Sequence, residues 1–204
     1  MKNMLKDTFV LFVITLFAGL LLGVVYEITK EPIAAQEEKA RQEAFAEVYE
    51  GAEKFEPIEE VTQEKTEAVL TEAGITGVTV NEVVGAYDSG SRLLGYCITV
   101  TTHEGYGGDI KLTLGIDLEG GLNGISILEI SETPGLGMKA ESVLKPQFCG
   151  KNAVQFEYTK SGAMAENQID AISGATITTK AVTNAVNGGL KVFQTCLLGG
   201  EGNE

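Results

Sequence analysis

Apolar and polar positions divide the chain into three regimes. From Thr8 to Tyr26 the sequence TFVLFVITLFAGLLLGVVY carries no charge, and Thr8 and Thr15 are its polar interruptions. At about 1.5 Å per residue this stretch spans about 28 Å, close to the hydrocarbon thickness of a bilayer. Lys2, Lys6 and Asp7 precede it, and Glu27, Lys30 and Glu31 follow it. A buried core helix of that length would show a polar face. A cleaved signal peptide would have a shorter apolar region, about 7–15 residues, ending at an A-x-A-like site; here VYEITKEP follows. The pattern predicts a retained single-pass anchor, with residues 1–30 as cytoplasmic tip and membrane span. Lysines before the span and acid after it predict a cytoplasmic N-terminus and an exported remainder. Gly19 and Gly23 form a G-x-x-x-G, which fits either chance in a Gly-rich run or close approach of a partner helix.

The second regime, 31–75, is an acidic helical connector with thirteen glutamates against four basic residues. Ala40, Ala44, Phe45, Val48 and Tyr49 recur at spacings of three and four, predicting a helix over about 33–50 with one apolar face. Pro32 suits its first turn. A turn around Pro57 and a short second helix follow. The glutamates themselves read as a solvated face.

The third regime begins near Val78. VTVNEVVGAYD, GYCITVTTH, DIKLTLGIDL and LNGISILEIS are short segments that alternate or run apolar, punctuated by Gly, Asp and Asn, and they predict strands. GMKAESVLKPQFCG predicts a short helix ended by Gly150. VQFEYTK predicts another strand. The last periodic stretch, ITTKAVTNAVNGGLKVFQTCLL, predicts a closing helix with Ile177, Ala181, Val182, Ala185, Val186, Leu190 and Phe193 on or near one face. Residues 199–204 read as a polar tail. Strands followed by helices predict an α+β domain over 76–198, with a mainly antiparallel sheet and flanking helices.

Composition narrows the chemistry. The net charge is −14, and so acidic a surface disfavours nucleic acid. Three cysteines without C-x-x-C spacing exclude a zinc ribbon, a thioredoxin-type motif and a self-contained iron–sulfur site. They read as small buried hydrophobes, with a Cys97–Cys149 pair left open. His103 is the sole histidine, which leaves a Ser–His–Asp arrangement without support. No metal site and no catalytic residue of this chain is expected. Glycine, 25 of 204 residues, is in excess over the usual share of about 7%. Three polar stretches that contain glycine stand out: 103–110, 131–139 and 170–180.

The last stretch is the most informative. Ser173, Gly174, Ala175 and Thr176 lie where a loop becomes the closing helix. Small residues there expose backbone N–H groups, and the helix dipole favours negative charge. A phosphate at Thr176 would meet both. A plain Ser/Thr helix cap without ligand is the alternative. Lys180, one turn on, is either a cation for that phosphate or an ordinary surface lysine.

Asp170-x-x-Ser173-Gly174-Ala175-Thr176 resembles the D-x-x-[ST]-G-A-T flavinylation motif of covalent FMN-binding domains. Glu132-Thr133-Pro134-Gly135-Leu136-Gly137 resembles the E-T-P-G-L-G loop of the same proteins, and Gly105-Tyr106-Gly107-Gly108 and Thr29-Lys30-Glu31-Pro32-Ile33 are similar to further stretches of theirs. These domains occur in the G subunit of RNF-type electron transport complexes and in the C subunit of sodium-pumping NADH:quinone oxidoreductases; the short chain is more similar to the former. The resemblance implies FMN joined to Thr176 by a phosphoester. It implies that Asp170, Ser173, Gly174, Ala175 and the loop Glu132, Thr133, Pro134, Gly135, Leu136 and Gly137 surround the cofactor, with Leu136 against the ring face and Thr133 as a hydrogen-bond partner. It implies an electron-carrier subunit of an ion-translocating complex in the bacterial cytoplasmic membrane, with other membrane subunits as partners. A separate flavin transferase using FAD would make the attachment. An exported interaction module without flavin, or a stand-alone flavin-linked reductase or regulatory domain, are the rival expectations.

Overall fold

The computed structural model describes residues 2–198, with side chains from residue 4 onward; the polar tail expected at 199–204 lies outside the described residues. The chain forms two units that divide between Gln42 and Glu43.

The first unit is the larger part of helix α1 (Lys2–Val48), which carries the anchor sequence. Its most apolar 18-residue window has a mean hydropathy of 2.7 and no residue buried by the protein. Phe9, Phe12, Phe17, Leu20 and Leu22 are all exposed. Apolar side chains bared on every side of a helix need lipid around them. The hydroxyls along it are satisfied internally: Thr8 donates to Met4 O at 2.8 Å, Thr15 to Phe12 O at 3.0 Å and Thr29 to Val25 O at 2.9 Å. Pro32 lies inside α1, whereas the sequence suggested a helix beginning there. Proline removes one backbone donor, and the strong helix formers on both sides of it outweigh that loss.

The second unit contains β1 (Lys54–Pro57), α2 (Gln63–Glu72), β2 (Val78–Tyr87), β3 (Leu93–Thr102), β4 (Ile110–Asp117) and β5 (Leu122–Ile130). The five strands form one antiparallel sheet in chain order. After β5 come a 3₁₀ turn (Gly137–Lys139), a π turn (Ala140–Leu144) and the short α3 (Lys145–Phe148). The sequence suggested one regular helix here. Pro146 cannot donate a hydrogen bond, and just before it Lys145 N reaches back to Ala140 O. Strands β6 (Glu157–Thr159) and β7 (Gln168–Asp170) make a separate parallel pair, and α4 (Thr176–Val192) closes the domain.

Strand alternation sorts the sheet into two faces. Val83, Ile98, Val100, Ile110, Leu112, Leu114 and Ile116 turn to the main core, where Ala181, Val182, Ala185, Val186 and Leu190 of α4 meet them. On the other face Val84, Ala86 and Cys97 pack with Phe45, Val48 and Tyr49. The Tyr49 hydroxyl donates to Leu94 O, and Phe45 meets Phe55 of β1 with the rings tilted by 41° and centroids 5.2 Å apart. Residues from 43 onward are therefore part of the domain, although sequence grouped them with the acidic connector. Strand β1 was hidden in that segment, because four residues with exposed charges suit a sheet edge but show no clear period.

One polar tether fixes this packing. Lys145 Nζ donates to Glu47 Oε1 and Ser126 Oγ to Glu47 Oε2, both at 2.5 Å. Burial opposes ionisation of Glu47, but these two hydrogen bonds and the lysine charge outweigh it and hold the carboxyl below its ordinary value. A depressed folded-state value gives stability that is complete above the unfolded value and is lost as pH falls through the folded one. Glu47→Gln should therefore lower the melting temperature near pH 7. The gap to wild type should shrink as pH drops below about 4, read by thermal melts of the purified chain from pH 7 to 3. A gap independent of pH would refute the tether.

Candidate functional site

The closing helix begins without a side-chain cap. Ala175 occupies the cap position at φ −134°. The first helical bond runs from Thr179 N to Ala175 O at 3.0 Å. The N–H groups of Thr176, Ile177 and Thr178 find no partner among the described residues. The Ser/Thr cap considered from sequence is thus not made. Instead the turn is held from inside the helix. Buried Thr179 accepts from Ile172 N at 3.1 Å and donates to Ala175 O at 2.9 Å. Ala175 N closes the turn on Ile172 O at 3.0 Å. Gly174 sits at φ +79°, in the left-handed region that glycine enters without steric cost. Thr176, half-buried, leaves its hydroxyl free of hydrogen bonds among the described residues. Free amides, a helix dipole and one accessible hydroxyl are the elements of an anion seat.

A second wall comes from the chain after β5. Leu136 N bonds Thr133 O at 3.1 Å, with Pro134 and Gly135 (φ +77°) between them. Proline then glycine at these places is what a type II turn requires. The turn presents Leu136 toward the Gly174 turn: a Cβ on Gly174 would stand 3.2 Å from Leu136 Cδ2. The loop after β3 supplies the third wall, where Tyr106 N donates to Glu132 Oε1 at 2.7 Å.

Between the walls lies a cleft of about 500 Å³. Of the residues singled out in the sequence, Glu132, Thr133, Leu136, Gly137, Gly174, Ala175 and Thr176 line it. Pro134, Gly135, Ser173 and Asp170 do not. Pro134 and Gly135 form the outer corner of their turn, and Ser173 is exposed. Asp170 supports the loop before it. Its Oδ1 accepts from Ala163 N at 2.6 Å, and its backbone is paired with the Gln147 amide at 2.7 and 3.2 Å.

Three lining residues were not among those expected to surround the cofactor: Tyr106, Ile177 and Thr178. Tyr106 lay within the Gly-rich stretch at 103–110. Ile177, expected on the core face of α4, is 52% exposed and faces the cleft. Lys180 lies outside the lining, with Nζ 3.4 Å from Glu104 Oε1. His103 is exposed, paired with Asp109 at 3.0 Å and Thr79 at 3.1 Å. All three cysteines are free. Cys97 is buried, which together with the nearby Glu82 charge pushes its thiol up to about 12.

Comparison with known proteins adds an independent finding. Residues 105–191 match the family described as FMN-binding domain, a span that takes in all three walls of the cleft. Residues 1–48 match the RnfG N-terminal region. The chain is 34% identical to the G subunit of the Na(+)-translocating ferredoxin:NAD(+) oxidoreductase complex of Acetobacterium woodii, over 95% of this chain and 93% of that one. It is 30% identical to the G subunit of the ion-translocating oxidoreductase complex of Methanosarcina acetivorans, over 91% and 92%. It is also 30% identical to the G subunit of the proton-translocating ferredoxin:NAD(+) oxidoreductase complex of Clostridium ljungdahlii, over 83% and 80%.

The Thr179 clamp can be tested apart from any ligand. Thr179→Val keeps the shape but removes both hydrogen bonds and strands a buried amide, at a cost of about 1–3 kcal/mol. That corresponds to a fall in melting temperature of several degrees, at roughly 2–4 °C per kcal/mol for a domain of this size. An unchanged melting temperature would show that the turn is held by something else.

Proposed function

The chain belongs to the family of G subunits of ion-translocating oxidoreductase complexes, and we propose that it holds FMN in the cleft at the head of α4, joined through its phosphate to Oγ1 of Thr176. As a member of that family it is an electron-carrier subunit of such a complex, anchored in the membrane by α1. The observation that carries the attachment is local. Thr176 offers a hydroxyl with no partner among the described residues, beside three amides that also have none, at the mouth of a cleft of about 500 Å³. A cleft of that size is within the range of small-molecule sites.

The residues fit the group in kind. The amides of Thr176, Ile177 and Thr178 would hold the phosphate oxygens at the positive end of the helix dipole. Leu136, Ile177 and Tyr106 supply apolar surface for a planar ring. Thr133 lies on the same wall as a hydrogen-bonding side chain. FMN supplies one- and two-electron chemistry when bound, and the protein sets its position and potential. No proton transfer by a side chain is required for electron relay, and none of these residues is assigned one.

Maturation follows from the same geometry. No described carboxylate or imidazole is hydrogen-bonded to the Thr176 hydroxyl, which suits attachment by a separate flavin transferase that uses FAD. The lysines before the membrane span favour a cytoplasmic N-terminus and an FMN domain on the extracytoplasmic side. A covalent bond there keeps the cofactor from being lost by dilution. The other membrane subunits of the complex are the partners for electron exchange.

Native chain made together with the transferase should carry an FMN-sized mass increment on the peptide spanning 170–180, and should fluoresce in a denaturing gel. Thr176→Ala should lose both while melting as a folded protein. Gly174→Val should also lose most of the flavin, because a β-branched residue at φ +79° costs about 1–3 kcal/mol of backbone strain and crowds Leu136. Full flavin content in Thr176→Ala would refute the attachment site.

A further inference from the structure

One side chain of the cleft is not accounted for by phosphate binding. Glu132 is only 6% exposed. Its Oε1 accepts from Tyr106 N, while its Oε2 makes no hydrogen bond or ion pair with any described residue. Thr178, 1% exposed, likewise has a hydroxyl without a described partner. A Cβ on Gly137 would stand 2.7 Å from both Glu132 Oε2 and Thr178 Oγ1, so glycine keeps the space between these atoms open. Among the described residues no polar side-chain atom is both sealed from solvent and unpaired; these two oxygens therefore look onto the cleft and not into the core. The lining contains no Lys or Arg among the described residues, and Lys180 is engaged by Glu104.

A carboxylate buried without a cation is costly unless a donor reaches it. Charge also sorts the two ends of a phosphorylated ligand. Glu132 repels the phosphate, and the amides of Thr176–Thr178 attract it. The part of the ligand away from the phosphate, with its chain hydroxyls and ring N–H as donors, is left for Glu132.

We propose that Glu132 positions the flavin ring by accepting its N–H at Oε2, and that its uncompensated charge holds the flavin reduction potential down. This rests on the reading of the cleft as an FMN seat. Reduction adds electron density to the ring, and in a low-dielectric cleft a neighbouring carboxylate opposes that more strongly than in water. Glu132 touches the ring through a hydrogen bond and takes no part in a bond-making step.

The test uses the full chain in membranes, made together with the flavin transferase. Flavin attachment is read by the mass of the 170–180 peptide, and the potential by spectroscopic redox titration. Glu132→Gln keeps an oxygen for Tyr106 N and removes the charge; Glu132→Asp keeps the charge. With Gln, the ratio of reduced to oxidised flavin at a fixed ambient potential should rise at least about tenfold, equivalent to about 30 mV for two electrons. Asp should stay near wild type. Attachment in Asp but not in Gln would also support the proposal, because charge alone then decides how the ring is placed. An unchanged potential in flavin-loaded Gln, or equal loss of flavin in both variants, would overturn it by making the residue's role one of shape. Wild-type chain without the FMN increment would sink the function proposed above, and this inference with it.

Discussion

The site depends on a helix start that is held in place without being capped. Helices usually satisfy one of their first free amides with a Ser, Thr, Asp or Asn side chain at the cap. Here Ala175 stands at that position and can offer nothing. The order a cap would provide comes from Thr179, one turn inside, which ties Ile172 N to Ala175 O. The loop is thereby fixed while the amides of Thr176, Ile177 and Thr178 stay available. Had Ser173 or Thr176 capped the helix, the anion seat would be occupied by the protein's own oxygen.

The sheet then brings the other walls to this point. Ile110 pairs with Thr102 on one side and with Ile130 on the other. The loop leaving β3 and the chain leaving β5 consequently emerge next to each other. That register is what lets Tyr106 N reach Glu132 Oε1 across 26 positions of sequence. The buried leucines and isoleucines of β4 make the register costly to shift, since a one-residue slip would turn them all to the wrong face. Core packing and site geometry are in this sense one constraint.

Much of this was legible in the chain because period and glycine placement speak directly to backbone geometry. Strands β2 to β5 show in their alternation, and the closing helix in its 3.6-residue period. The three glycine-containing stretches mark the three walls. What was not legible has physical causes. Strand β1 is too short to show a period. The 137–148 segment carries good helix formers, but Pro146 forces its backbone to widen. Ile177 stands at the margin of the apolar stripe and lies in the cleft, because Thr178 and Thr179 take the buried positions of that first turn. Asp170 belongs to the motif but bonds back to its own loop, and a spacing pattern does not distinguish support from contact.

Charge gives a reason for the proposed covalent bond at this site. The protein carries a net charge of −14, and the cleft adds a buried carboxylate while its described lining offers no cation. A phosphate is attracted there by backbone dipoles alone, against the field of the whole molecule. Affinity built that way is limited, and on the proposed reading neutralising it with Arg or Lys would raise the potential of a ring held beside Glu132. On the reading proposed here, a phosphoester to Thr176 removes the conflict. Retention no longer depends on affinity, so the surroundings of the ring are free to be shaped for electron transfer.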